Sequence, residues 1–153
     1  MTIGQVNKLP ASILAVALMC TFSIGVHAAP KQIIAVALQD TSTDPSITGM
    51  VVKIEPAVVK AGRVTLEAVN QSKNLVHEVL VIPVLPAGKD MPYDKRKDTV
   101  IENRVHPLGE ISDLQPGARG TLALNLKPGT YLLLCNEPGH YKSGMSTTLL
   151  VEK

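Results

Sequence analysis

The sequence predicts an all-β protein, a sandwich of two packed sheets, and three observations carry that expectation. From Met50 onward, apolar and polar residues alternate with period two. The alternating runs are short and bounded by Pro, Gly and Asn clusters that reverse a chain. One run, YLLLC (131–135), is apolar throughout, as expected of a strand covered on both faces.

Taken in order, VTLEAV (64–69) sets Val64, Leu66 and Ala68 on one side and Thr65 and Glu67 on the other. NQSKN (70–74) reads as a turn. LVHEVLVI (75–82) places His77, Val79 and Val81 on one face. Residues 83–118 break the rhythm with five prolines, at 83, 86, 92, 107 and 116, and a charged patch, DKRKD (94–98). The expectation there is a long surface excursion with one short helix at 94–104. GTLALNL (120–126) resumes the alternation through Leu122, Leu124 and Leu126, and KPGT (127–130) is a Pro-Gly turn. In the strand after it, Tyr131, Leu133 and Cys135 share a face. The last run, MSTTLLVEK (145–153), aligns Met145, Thr147, Leu149 and Val151.

A chain of 153 residues, 45% hydrophobic, suits one domain with its own core. Lys+Arg 15 against Asp+Glu 13 leaves +2, and only 3% of residues are aromatic, so the basic stripe and stacking platform of a nucleic-acid binder are both missing. The N-terminus reads as a secretory signal over 1–28, with Lys8, the apolar run 9–26 and the small-residue site VHAAP; residues 29–153 then form the domain. The competing reading is an uncleaved membrane anchor. Removal of the signal takes Cys20 away and leaves Cys135 without an intrachain partner. A lone thiol outside the cytoplasm is buried, bound or paired with another chain.

Cys135 heads CNEPGHYKSGM, eleven residues that also hold His140 and Met145. Taken singly, each is ordinary: a small buried thiol, a strand histidine, a core methionine. Together with His77 they supply two imidazoles, a thiolate and a thioether. That donor set suits a copper ion that transfers electrons. A hydrolase built on a Cys135/His140 pair would need an oxyanion hole and an orienting group, and the sequence shows neither. The third histidine outside the signal, His106, reads as a surface residue.

NLVHEVLVI, PGTYLLLC and CNEPGHYKSGM resemble the three blocks of the cupredoxins, or blue copper proteins, of the plastocyanin/azurin family. The likeness covers about Met50 to Lys153, and the Cys-x4-His-x4-Met spacing is similar to the rusticyanin and sulfocyanin branch. The resemblance implies a Greek-key β-sandwich with His77, Cys135, His140 and Met145 as ligands of one type 1 copper ion. It also implies a non-enzymatic carrier, a monomer, passing single electrons between redox partner proteins in the periplasm or otherwise outside the cytoplasm. The alternative is a copper-handling protein of tolerance or delivery. Tyr131 matches the family's corner tyrosine, a structural residue. One departure stands out: Glu78 follows the first histidine, where many cupredoxins carry an Asn or Ser that ties the ligand loops together. Asn74 and Asn136 are the candidates for that tie, with Glu78 pointing away from His77 as a supporting carboxylate. His140, beside Pro138, Gly139 and Tyr141, is expected to be the surface edge through which the electron leaves.

Overall fold

The computed structural model describes residues 31–40 and 49–153; the proposed signal peptide, 1–28, lies outside them. The strands are β1 (Gln32–Asp40), β2 (Met50–Glu55), β3 (Val58–Lys60), β4 (Gly62–Asn70), β5 (His77–Pro83), β6 (Tyr93–Asp94), β7 (Thr99–Val100), β8 (Gly109–Leu114), β9 (Arg119–Leu126), β10 (Gly129–Leu134) and β11 (Ser146–Glu152). They build one sheet in the order β2-β1-β4-β9 and a second in the order β3-β11-β10-β5-β8, with β6 and β7 forming a separate hairpin. The chain crosses repeatedly from sheet to sheet, as in a Greek-key sandwich, so the all-β expectation holds.

Alternation decides which side chains enter. Ile34, Val36 and Leu38 of β1, Val64, Leu66 and Ala68 of β4, Val79 and Val81 of β5, and Leu133 and Leu149 of β10 and β11 interlock between the sheets. Each large aliphatic side chain removed from water there contributes about 1.5–3 kcal/mol. At Gly120 the two sheets press so closely that a Cβ would collide with the Ile111 side chain, which would have to shift.

Strands β5 and β10 are covered on both faces. Their other sides carry Leu80, Ile82 and Leu134 into a second cluster closed by Val100 and Val105, with Met91, Tyr93 and Tyr141 at its margin. This corrects the reading of 83–118 as a surface excursion with a helix at 94–104. The segment forms the β6–β7 hairpin, a single 3-10 turn at Glu102–Arg104, and β8, which joins the second sheet beside β5. Apolar side chains at 91, 93, 100 and 105 are too few for a helical stripe but enough to roof a sheet.

Strand β1 was not anticipated. IIAVAL reads as a continuous apolar run, because Ala35 and Ala37 on the open side disguise the alternation of the buried Ile34, Val36 and Leu38. Among the described residues, no helix is long and apolar enough to cross a membrane.

Candidate metal centre

The four candidate donors sit at one end of the sandwich. His77 is the first residue of β5, and the pairing of β5 with β8 shifts register between His77 and Val79, a bulge that breaks the ladder there. Cys135 follows the last residue of β10, and Met145 precedes β11. Between them the loop folds back on itself. The Cys135 N–H donates to the Met145 carbonyl at 3.0 Å, and the Met145 N–H donates to the His140 carbonyl at 3.1 Å. Gly139, at φ 82°, takes the left-handed conformation that lets the loop turn, and its N–H donates to the Asp98 carbonyl at 2.8 Å.

These constraints bring three donors together. Nδ1 of His77 lies 3.2 Å from Nδ1 of His140, and Cys135 Sγ lies 3.3 Å from His140 Nδ1 and 3.8 Å from His77 Nδ1. Donors about 2.0–2.3 Å from one ion, at trigonal to tetrahedral angles, lie about 3.3–3.8 Å from each other. The observed separations match that spacing, so the cluster fits a single transition-metal ion. His77, Cys135 and Met145 are fully buried, whereas His140 is partly exposed. The side chain of Met145 belongs to the same interior cluster as Cys135 and Val79.

Burial sets the protonation states. It pushes the Cys135 thiol up to about 11, opposed by N–H groups that include Glu78 N–H, 3.4 Å from the sulfur. Burial lowers both imidazoles; the Asp40 carboxylate opposes this at His77, while the neighbouring His77 adds to it at His140. Two neutral imidazoles and a thiol awaiting deprotonation are what a cation would meet.

The tie between the ligand loops belongs to Glu78 and Asn136 together. The Glu78 carboxylate reaches over to accept the Asn136 backbone N–H at 3.0 Å. Its pKa rises to about 7, first through burial, against the Asn136 bond and with help from Glu110, Glu137 and Glu102. The Asn136 side chain accepts the Val100 N–H at 2.6 Å and donates to the Val100 carbonyl at 3.1 Å and to Glu102 at 2.8 Å. It thereby pins the β6–β7 hairpin to the metal loop. Asn74 is exposed, and Asn70 is the buried asparagine of that turn, donating to the Leu75 and Leu114 carbonyls at 2.8 and 2.7 Å. The strand pattern of the sequence held the signal for Asn70, an amide on the inward phase of Val64, Leu66 and Ala68.

Tyr131 is a corner residue in fact: its hydroxyl donates to the Lys127 carbonyl at 2.8 Å. His106 is exposed, as expected. Tyr141 lies less open than its place beside His140 suggested, with its ring 6.3 Å from that of Tyr93 at the edge of the second cluster. One carboxylate escaped the sequence reading altogether: Asp40, at the end of β1, with Oδ1 3.4 Å from Nε2 of His77.

Sandwich and site together define a class, the cupredoxin fold with a two-histidine, one-cysteine cluster at its end. Among solved structures the chain is similar to auracyanin from the photosynthetic bacterium Roseiflexus castenholzii, at 20% identity and a TM-score of 0.53 over 83% of this chain and 100% of that one. It is likewise similar to auracyanin B, at 24% identity and a TM-score of 0.55 over 84% and 94%, and to rusticyanin from Thiobacillus ferrooxidans, at 17% identity and a TM-score of 0.57 over 82% and 80%. At these identities the likeness establishes the fold. No protein-family model matches the chain, and no curated protein matches it in sequence.

Proposed function

We propose that residues 29–153 form an extracytoplasmic cupredoxin domain holding one type 1 copper ion on His77, Cys135, His140 and Met145, which carries single electrons between redox partner proteins. The observation that carries this reading is the convergence of two Nδ1 atoms and one sulfur at ligand spacing. Rusticyanin, of the same fold, is a copper protein, and both it and auracyanin have been obtained in reduced form. Copper bound here would supply a one-electron couple between Cu(I) and Cu(II).

The protein's part is to hold the donors still. Glu78 N–H and the Asn136 tie keep Cys135 in place beside the imidazoles, so little has to move when the charge of the site changes. His140 is the donor with an edge towards solvent, which gives a partner its shortest approach. Burial of the remaining donors favours retention of the ion over its delivery, the competing reading, which calls for exposed and exchangeable ligands. With Met145 as the fourth donor no position would be left for a substrate, so the proposal is a carrier and not an enzyme.

Addition of copper(II) to the metal-free protein tests the reading. An intense visible thiolate-to-metal band is expected, absent in Cys135→Ser while that variant keeps its β-sheet circular dichroism. A colourless wild type, or a coloured Ser variant, would overturn it. Export of the full chain should yield a mature protein beginning at Ala29 or Pro30, read by mass spectrometry; an intact N-terminus in the membrane fraction would favour an anchor instead.

A further inference from the structure

We propose that Asp40 is a positioning residue for His77, fixing its imidazole as the Nε2–H tautomer so that Nδ1 offers a lone pair to the cleft it shares with Cys135 and His140. The His77 ring is fully buried, and its Nε2 has no aligned hydrogen-bond partner. Among the described residues, Asp40 is the only acidic side chain within 4.0 Å of it, with Oδ1 at 3.4 Å. A buried ring N–H without an acceptor is destabilising, so a carboxylate that close decides where the proton resides.

The carboxylate is itself held. Ser72 Oγ–H donates to Asp40 Oδ2, and the same Ser72 oxygen accepts the Leu75 N–H at 3.1 Å. The Ser72 N–H in turn donates to Asn70 Oδ1 at 2.9 Å, and Asn70 is locked to the Leu75 and Leu114 carbonyls. A polar chain therefore runs from the buried end of β4 to the back of His77. The Asp40 side chain is 28% exposed, so its charge stays partly hydrated and is not expensive to keep.

What the carboxylate prevents is visible on the other side of the ring. His77 Nδ1 lies 3.2 Å from His140 Nδ1 and 3.8 Å from Cys135 Sγ. In the Nδ1–H tautomer the imidazole could donate to either of them, which would fill the cleft with a proton. Asp40 on the Nε2 side opposes that arrangement whether or not a metal is present. The inference concerns the metal-free ring directly, and it rests on the proposed copper reading only for its effect on binding.

Long-range proton–nitrogen NMR of the metal-free, nitrogen-15-labelled protein reads the tautomer. His77 should be Nε2-protonated in the wild type. In Asp40→Ala, the ratio of Nδ1–H to Nε2–H should rise about tenfold or more, the scale of a hydrogen bond to a charged acceptor. Asp40→Asn, whose side-chain oxygen still accepts, should restore the wild-type tautomer, which a merely structural role would not require. Ser72→Ala, which frees the carboxylate, should shift the ratio the same way as Asp40→Ala and stands in for that variant if it does not fold. In a parallel titration, copper(II) affinity should fall about 10–100-fold in Asp40→Ala and only a few-fold in Asp40→Asn. An unchanged tautomer in Asp40→Ala, or an Asn variant behaving like the Ala variant, would overturn the assignment. A wild type that gives no coloured copper complex would defeat the copper reading, and the NMR result would still decide the role of Asp40.

Discussion

Asn136→Ala should destabilise the metal-free protein by about 2–3 kcal/mol. The side chain makes two hydrogen bonds to the backbone of Val100, which is 2% exposed, and one to the partly exposed Glu102. Alanine leaves the Val100 N–H and carbonyl without partners in a place water reaches poorly, at about 1 kcal/mol each, and the Glu102 bond adds about half as much. For a domain of this size the loss lowers the melting temperature by about 10 °C. Urea unfolding followed by circular dichroism measures the free energy, with Asn74→Ala as the control expected to stay within about 0.5 kcal/mol of wild type. If the two variants were equally stable, Asn136 would not be what fastens the β6–β7 hairpin, and the link between the second apolar cluster and the metal loop would have to run elsewhere.

Tyr131→Phe should cost about 1 kcal/mol through loss of the bond to the Lys127 carbonyl, and leave any copper spectrum unchanged; a spectral shift would give Tyr131 a part in the site. Copper binding at pH 8.5 should release one proton per ion. The thiol, raised to about 11, is still protonated there, while both imidazoles, lowered by burial, are neutral. Release of no proton in a weakly buffered titration would exclude the sulfur as a ligand. Met145→Leu should keep copper bound and raise the reduction potential, because removal of a weak donor destabilises Cu(II) more than Cu(I); an unchanged potential in voltammetry would make Met145 a packing residue only.

The candidate centre was legible in the sequence because three of its four donors fall within one stretch of eleven residues, where coincidence of cysteine, histidine and methionine is hard to attribute to packing. The strands from 64 to 69, 120 to 126 and 145 to 153 were legible because their larger apolar residues recur mostly at every second position between turn signals. Where both faces are apolar the pattern carries less. Leu134 marked β10 as covered on both faces, but nothing local said that β5 is covered likewise or that residues 91–105 supply the cover. Asp40 was illegible for a related reason: its importance depends on β1, whose alternation two alanines conceal, lying parallel to β4 and so ending beside Asn70. Glu78 was visible as an oddity, yet its bond to the Asn136 N–H joins groups 58 residues apart, and only the fold makes them neighbours.

The two backbone hydrogen bonds that close the neck of the metal loop, Cys135 to Met145 and Met145 to His140, separate frame from insert. Strands β10 and β11 are already paired from Gly129–Val151 to Leu134–Ser146, so the register of the frame owes nothing to the loop's contents. The loop is in that sense a cassette, replaceable from the neck outward without repacking the sandwich. Two of its positions are less free, because Asn136 grips Val100 and Gly139 fits under Asp98, with Asp98 Oδ2 only 3.1 Å from where a Cβ would stand. Variation in length and chemistry is therefore cheapest at Glu137 and Pro138, where a transplanted or evolving loop can alter the surroundings of the ion while inheriting the frame intact.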